Sequence, residues 1–268
     1  MADLPDFVSV VGQHRAKSRL QSLLTSLNNH FIIFSGPIGQ GKKTSARAFA
    51  SAILAAYHHT ADELAQIQLD DQSSFPTTAD QRGLAVRRLF EARTHPDYRE
   101  LLQPAPGKMI PVDSVREVVA DVEMLPQLGR YKVYLLEGDG LNEAGQNALL
   151  KTLEEPPGYA IFLLTVSGQN RLLETVSSRG VEIHLTRNND EEIEIILERV
   201  IAAREDVRSD IPMKLLTRFA DGCPGRAIEL ATSEWFLPVR QDLFELVQLL
   251  LSASPASVLA AGWELFET

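Results

Sequence analysis

The chain has 268 residues, 44% hydrophobic and 23% charged, a composition typical of a soluble globular protein. Its formal charge of -10 argues against a free-standing nucleic-acid binder, because such proteins usually carry an excess of lysine and arginine. Cys223 is the only cysteine, which excludes an internal disulfide and a zinc site made of several cysteines, and suits a reducing compartment.

The amino terminus and the hydropathy pattern predict a cytoplasmic protein. The chain begins MADLPDF, without the basic and apolar regions of a signal peptide. The sequence also lacks a run of about 18 consecutive apolar residues, the length that a membrane-spanning helix requires. We therefore expect no membrane partner.

The first part of the chain predicts a helix, a strand and a second helix. Residues 7–28 contain leucines spaced three and four apart, a helical pattern. A short strand (31–34) leads into "SGPIGQGKKTS" (35–45), and an alanine-rich helix then runs to about Tyr57. The order strand, glycine-rich loop, helix is the context in which a phosphate-binding loop is credible.

Two further buried strands are predicted at 132–136 (KVYLL) and 160–166 (AIFLLTV), continuous apolar runs typical of parallel sheets. The segment between them predicts a helix that ends at two consecutive prolines. Strands that alternate with helices favour an α/β fold with a parallel sheet. Residues 58–95 are polar and turn-rich at their centre and predict an insertion with weak helices.

The pattern becomes wholly helical after about residue 187. Asn188, Asn189 and Asp190 are candidate caps of an amphipathic helix, "IEIILERVIAA". Shorter helices are predicted around 211–220, 225–233, 238–252 and 256–266. The predicted domains are thus an α/β core of residues 1–187, a helical unit of residues 188–233 and the start of another helical unit, residues 234–268.

The glycine-rich loop departs from the phosphate-loop motif at one position. Lys42 is in register to neutralise phosphate, but Lys43 stands where a hydroxyl would bind Mg²⁺. Thr44 carries a hydroxyl, yet it is turned about 100° further around the helix. The loop favours phosphate binding and argues against Mg²⁺-dependent hydrolysis. The candidate nucleotide site in the loop comprises Gly36, Gly39, Gly41, Lys42, Lys43 and Thr44.

A nucleotide motor should also have an apolar strand that ends in Asp-Glu. Here "KVYLLEGDGLN" allows two registers. Counted from the strand start, Glu137 and Gly138 fill the two positions; counted back from the next helix, Leu136 and Glu137 fill them. Neither register gives Asp-Glu, and Asp139 is interpreted as a turn residue. The sequence therefore predicts no metal site here.

Several of these motifs carry a resemblance to bacterial DNA polymerase III clamp-loader subunits, which are AAA+ proteins. In order along the chain they are "VGQ", "GPIGQGK", "THPDY", "VDSVREV", "NALLKTLEEPP", "SSRG" and "GCPGRA". The resemblance covers roughly residues 7–233, and its most specific motif is "NALLKTLEEPP" (147–157). It implies an α/β P-loop AAA+ core with a parallel sheet, a small helical lid and the start of an all-helical collar domain.

Departures from the family pattern favour the delta-prime type of subunit. The ATP-hydrolysing subunits carry an intact phosphate loop and an Asp-Glu strand end, and most bacterial relatives insert a four-cysteine zinc module. Residues 58–95 stand where that module would be, so no zinc is expected. In the family, delta-prime is a fixed member of the ring and does not hydrolyse ATP. No cofactor is then required, and passive binding of ATP or ADP is left open.

The resemblance also implies roles for individual residues. Arg179, in "SSRG", would reach the ATP bound by the adjacent subunit, with Gly180 where the family has cysteine; a surface arginine paired with a carboxylate is the alternative. Arg226 is similar to the second sensor arginine, and Thr165 or Ser167, just past the third predicted strand, to the first sensor. The segment that contacts adenine would be Val10, Val11 and Gly12, although an apolar strand end has the same pattern.

The expected function is that of a non-hydrolysing stator in the clamp loader, a component of the DNA polymerase III holoenzyme without independent activity. The implied partners are clamp-loader ATPase subunits, a delta-type subunit and the sliding clamp, with primer-template DNA met only in the assembled complex. The alternative is an ATP-hydrolysing motor subunit, since Lys42 is present and Glu137 or Asp139 could hold a cation through water. A nucleotide kinase is less favoured, because no arginine cluster for a substrate phosphate is found.

The helical tail (234–268) is much shorter than the collar domain of the family. The expectation is therefore either a truncated chain or a reduced collar. In both cases apolar helix faces would lack their usual covering, which predicts self-association.

Overall fold

The computed structural model describes residues 7, 9–57, 79–168, 171–204, 207 and 211–252. The chain divides into two compact units, one that ends at Asn188 and one that begins at Asn189. Most of the predicted insertion and the helix predicted at 256–266 lie outside the described residues. The separate collar unit from residue 234 stays a prediction.

The first unit contains a sheet of five parallel strands: β1 (Phe31–Ser35), β2 (Tyr98–Leu101), β3 (Lys132–Glu137), β4 (Ala160–Val166) and β5 (Val181–His184). Their order across the sheet is β2-β3-β4-β1-β5. The predicted α/β core with a parallel sheet is confirmed. The sequence predicts β1, β3 and β4 but not the two edge strands. These have only 4 residues each and include polar, partly exposed positions, so they lack a continuous apolar run.

Helices cover both faces of the sheet. Alternate strand residues enter two separate cores, for example Ile32 and Phe34 on one face and Phe31 and Ile33 on the other. The helices of this unit are α1 (His14–Thr25), α2 (Lys42–Ala56), α3 (Ala79–Glu91), α4 (Val112–Val122), α5 (Glu143–Glu154) and α6 (Glu174–Ser177). The first core is completed by residues of α1, α2 and α3, and the second by residues of α4 and α5.

The second unit is helical throughout its described residues, as predicted. It consists of α7 (Asp190–Ala203), α8 (Met213–Ala220), α9 (Pro224–Thr232) and α10 (Phe236–Ser252). A capping box starts α7: Asn189 accepts from the backbone N–H of Glu192, whose side chain accepts from the N–H of Asn189.

The helix α10 exposes a series of apolar side chains, namely Val239, Leu243, Phe244, Val247, Leu250 and Leu251. Self-association through such side chains stays a prediction. None of the helices within the described parts of the chain is long and apolar enough to span a membrane.

Gly180 is required by tight packing at the start of β5. A Cβ atom there would lie 2.5 Å from Cδ1 of Ile33 and 3.0 Å from Cδ1 of Phe31. Ile33 is itself buried, so its side chain has little room to move. The core therefore occupies the space that the cysteine of the family would fill.

We expect Gly180→Cys to lower the free energy of unfolding by about 1–3 kcal/mol, the usual cost of overpacking a core. Adding Ile33→Val should recover part of this loss, because it removes the terminal methyl group. Urea denaturation measures both effects. The matched control is Gly158→Cys, since a Cβ atom at Gly158 meets nothing within 4 Å. Equal losses in the two glycine variants would contradict the packing argument.

The motif "THPDY" folds into a buried polar turn. The carboxylate of Asp97 accepts hydrogen bonds from the backbone N–H groups of Gln127 (2.6 Å), Leu128 (2.7 Å) and Gly129 (3.1 Å). The Nδ1 atom of His95 accepts from the N–H of Asp97 at 3.1 Å. Burial lowers the pKa of the His95 imidazole, against the opposing effect of the Asp97 charge.

This arrangement makes stability depend on pH. In the unfolded chain His95 gains a proton near pH 6.5, whereas in the folded chain it gains one only at lower pH. The contribution of His95 to the free energy of unfolding is therefore fully present above about pH 7. It should fall below about pH 6.5, by at most about 1.4 kcal/mol per pH unit. Denaturation at several pH values should show a smaller slope for His95→Asn, whose side-chain oxygen can still accept from Asp97. The variant Lys108→Thr, which changes an exposed residue and removes no histidine, should keep the slope. If the free energy of unfolding depends on pH equally in the wild type and in His95→Asn, His95 is not the group responsible.

Candidate nucleotide site

The glycine-rich loop lies at the carboxyl edge of the sheet. The strand β1 ends at Ser35, and the loop connects it to the first turn of α2. The register pairs Ser35 with Val166, and Glu137 with Thr165, so β1, β3 and β4 end at the same level. Ligands of open α/β sheets bind at this edge.

The backbone of the loop needs its glycines. Gly36, Gly39 and Gly41 have φ angles of 143°, 78° and 80°, values that other residues rarely adopt. A Cβ atom on Gly36 would also lie 2.7 Å from the carbonyl oxygen of Leu185. At Gly41 a Cβ atom would meet open space, so the backbone angle alone requires glycine. Loops with this geometry can turn successive N–H groups toward a bound phosphate.

Lys42 stabilises the loop through hydrogen bonds to its backbone. Its side chain is buried, and its Nζ donates to the carbonyl oxygens of Gly36 (2.8 Å) and Pro37 (2.7 Å). Lys42 and Lys43 are the first two residues of α2, whose first turn has no acidic residue. Both cations therefore stand at the positive end of the helix dipole, where an anion is favoured.

Lys43 forms an ion pair with the carboxylate at the end of β3. Its Nζ lies 2.7 Å from Oε1 of Glu137, and the other carboxylate oxygen accepts from the backbone N–H of Gln103 at 2.9 Å. Glu137 is the last residue of β3, which favours the first of the two registers considered. The next residue, Gly138, has no side chain, and a Cβ atom there would lie 3.1 Å from the carbonyl oxygen of Thr165.

These residues do not fit a divalent cation. Mg²⁺ is held by oxygen ligands, but the carboxylate of Glu137 faces an ammonium group. Asp139 uses Oδ1 to accept from the N–H of Ser167 at 3.0 Å. Thr44 is exposed. Within the described ranges, no group of three or more His, Cys, Asp or Glu side chains could hold a metal ion.

A second ion pair lies one turn further along α2. Arg47 donates to both carboxylate oxygens of Glu100 at 2.8 Å and 2.7 Å, and the hydroxyl of Tyr98 donates to the same carboxylate at 2.6 Å. Although burial acts in the opposite direction, hydrogen bonds from Arg47 and Tyr98 hold the pKa of Glu100 below its ordinary value. The sequence did not predict this ion pair. The sequence feature that could have indicated it is the spacing of four residues between Lys43 and Arg47, which places both side chains on one face of α2.

Three buried amide side chains, which we call the amide clasp, anchor the loop to distant parts of the chain: Gln13, Gln40 and Asn188. Gln40 donates to Oδ1 of Asn188 at 2.9 Å, and Asn188 donates to the carbonyl oxygen of Val11 at 3.3 Å. Gln13 donates to the carbonyl oxygen of Thr186 at 2.6 Å and accepts from its N–H at 3.0 Å. The clasp thus brings Val11, a predicted site residue, together with the loop.

The other predicted site residues lie elsewhere. Arg179 follows α6 and is exposed; it donates to Oε1 of Glu154 at 2.5 Å and to the carbonyl oxygen of Thr175. Pairing with a carboxylate was the alternative interpretation, and the role of Arg179 toward a neighbour stays a prediction. Arg226 is exposed on α9, in the second unit, and its sensor role also stays a prediction.

The two candidates for the first sensor lie on either side of the end of β4. Thr165 is buried inside the strand, so the prediction that it lies past the strand is wrong. Ser167 does follow the strand, and its N–H donates to Asp139. The strand was predicted with the bounds that are observed, 160–166, so Ser167 is the candidate that follows it.

Residues 12–189 match the family described as "DNA polymerase III, delta subunit". The chain is 35% identical over 154 residues to DNA polymerase III subunit delta' of Pseudomonas aeruginosa, covering 57% of this chain and 42% of that protein. It is 43% identical over 104 residues to the delta' subunit of Haemophilus influenzae, covering 38% of this chain and 32% of that protein. It is 30% identical over 228 residues to subunit tau of Salmonella typhimurium, covering 84% of this chain and 32% of that protein. The chain thus matches less than half the length of each relative.

The fold is similar to that of RuvB from Thermotoga maritima, in the structure of a variant with one substitution. The TM-score is 0.52 at 17% identity, and the match covers 84% of this chain and 64% of RuvB. This likeness confirms the predicted α/β fold with a parallel sheet. From the family match, the chain belongs to the DNA polymerase III delta-subunit family, and the predicted resemblance to its delta-prime members is confirmed by the delta' relatives.

Proposed function

We propose that the chain is a non-hydrolysing stator subunit of the DNA polymerase III clamp loader, and that it presents Arg179 to ATP bound by a neighbouring ATPase subunit. Membership of the family supports a place in that complex. The observation that carries the non-hydrolysing role is the ion pair between Lys43 and Glu137, 2.7 Å long.

The ion pair argues against hydrolysis on electrostatic grounds. Phosphoryl transfer requires divalent cations that bridge the β- and γ-phosphates and neutralise the developing charge. Beside Glu137, such a cation would be repelled by the ammonium of Lys43 and would compete with it for the carboxylate. Glu137 is followed by Gly138, which offers no carboxylate to orient water. Cleavage of ATP is therefore assigned to an adjacent subunit.

The proposed partners are clamp-loader ATPase subunits, a delta-type subunit and the sliding clamp. Binding of ATP by the ATPase partner would close the ring and open the clamp, with this chain as the fixed member. The net charge of -10 suits contact with primer-template DNA only through the assembled complex. We further propose that the protein acts in the cytoplasm without zinc or any required cofactor.

Reconstitution tests this proposal. The purified chain alone should release no γ-phosphate from ATP in the presence of Mg²⁺. Added to the other clamp-loader subunits, it should raise their DNA-stimulated ATPase activity. Turnover by the isolated chain that disappears in Lys42→Ala would overturn the stator role.

An ATP-hydrolysing motor subunit is the second candidate. It is favoured by Lys42, which keeps the lysine of the phosphate-loop motif at the start of α2. Lys42 would then neutralise phosphate, and water would have to link a cation to Glu137 or Asp139. The same turnover measurement separates the two candidates.

A further inference from the structure

The phosphate loop has a charge balance that an ordinary Mg²⁺-dependent loop does not have. Residues 36–43 (GPIGQGKK) contain two lysines and no acidic residue. The ammonium of Lys42 is buried against loop carbonyls, whereas 43% of the Lys43 side chain is exposed. The positive end of α2 adds to the same field. The nearby acidic group is Glu137, reached across the sheet edge from β3.

We propose that Lys43 takes the place of the divalent cation, so that this loop binds the polyphosphate chain of a nucleotide in its metal-free form. The inference rests on the proposed function only in taking the site to be non-hydrolytic. Lys43 is the residue that selects the metal-free form of the nucleotide over its magnesium complex.

Glu137 fixes the position of the Lys43 ammonium. Its carboxylate is held by the backbone N–H of Gln103 and by its place at the end of a buried strand, and only 11% of its side chain is exposed. The lysine is the more exposed partner and has a flexible stem, so it can contact a phosphate oxygen in the loop while it remains near the carboxylate. A divalent cation would have to displace the ammonium from Glu137.

The charge of the ligand then decides the affinity. Free ATP carries two more negative charges than its magnesium complex, and the loop already supplies the cations. Metal-free ATP should therefore bind more tightly than Mg²⁺-bound ATP. A phosphate loop with a hydroxyl in place of Lys43 has the opposite preference, because its hydroxyl helps to hold the metal.

Isothermal titration calorimetry with the full chain tests this inference, using ATP in EDTA and ATP in excess Mg²⁺. For the wild type we expect several-fold tighter binding in EDTA. Lys43→Thr, which restores the hydroxyl of the motif, should weaken binding in EDTA about tenfold or more, the value of a lost charge-assisted hydrogen bond, and should make Mg²⁺ favourable. Inorganic tripolyphosphate should show the same preference for EDTA, since the effect depends on the phosphates.

Two further variants complete the test. Glu137→Gln keeps an acceptor for Gln103 but removes the charge that competes for Lys43, so it should bind ATP in EDTA at least as tightly as the wild type. Lys108→Thr, at an exposed lysine outside the loop, should bind like the wild type. Circular dichroism checks that each variant is folded.

The inference is overturned if the wild type binds ATP more tightly in Mg²⁺ than in EDTA, if it binds ATP in neither buffer, or if Lys43→Thr behaves like the wild type. None of these results depends on Arg179 or on the partner subunits. Failure of the reconstitution assay would instead refute the proposed function and leave the titration result standing.

Discussion

Arg179→Ala is expected to abolish the stimulation of ATPase activity that we propose this chain gives to a reconstituted clamp loader. A guanidinium supplied by a neighbouring subunit stabilises charge on the transferring phosphoryl group by roughly 10³ to 10⁵ in rate. The fold should be little affected, because the ion pair of Arg179 with Glu154 is partly exposed and pairs at the surface contribute about 0–1 kcal/mol. ATPase assays with and without DNA, together with gel filtration of the complex, measure the two effects separately.

Two variants control this experiment. Arg179→Lys keeps the charge but loses the planar fork of donors, so it should restore little of the activity. Arg171→Ala removes another exposed arginine of the first unit and should leave the stimulation unchanged. If the Arg179→Ala complex assembles and retains full stimulation, Arg179 is only a surface residue paired with Glu154.

Asp121→Ala is expected to lower the free energy of unfolding by about 3–5 kcal/mol. The buried carboxylate of Asp121 lies 3.0 Å from Nζ of Lys132 and 3.2 Å from a guanidinium nitrogen of Arg99, and it accepts from the hydroxyl of Tyr134 at 2.8 Å. Lys132 is equally buried. Removal of the carboxylate would leave this ammonium without its counter-charge, and a buried unpaired charge is strongly destabilising.

The helix α4 provides a matched control. Asp113, near its start, pairs with Arg116 on the surface, and 86% of its side chain is exposed. Asp113→Ala should change the free energy of unfolding by no more than about 0.5 kcal/mol. Urea denaturation of both variants gives the comparison. Similar small losses in both would mean that the buried ion pair does not stabilise the fold.

The parts of the fold that the sequence predicted are those with a strong local signal. The strands β1, β3 and β4 are apolar throughout because both their faces are covered, and α2 follows a motif with fixed spacing. The edge strands have no such signal, since their pattern depends on which side of the sheet meets solvent. Residues of "YREL" contribute to ion pairs that only the neighbouring elements define.

In the candidate site, too, the features with a local sequence signal were predicted and the contacts between distant residues were not. The loop glycines and Lys42 were identified from spacing, because the backbone conformation itself requires glycine. That Lys43 pairs with Glu137 could not be predicted, since the contact depends on how α2 lies over the end of β3. Pairings of this kind join residues far apart in sequence, and opposite charges alone do not select a partner.

The amide clasp has a consequence for the response of the loop to ionic strength. Its members, Gln13, Gln40 and Asn188, are uncharged and buried, so dissolved ions do not screen their hydrogen bonds. The pairs of Lys43 and Arg47 with their carboxylates are partly exposed and weaken as the Debye length falls from about 10 Å at 0.1 M to about 3 Å at 1 M. At high salt concentration the hydrogen bond of Gln40 should therefore still anchor the loop. The ion pairs that join the first turns of α2 to β2 and β3 should weaken.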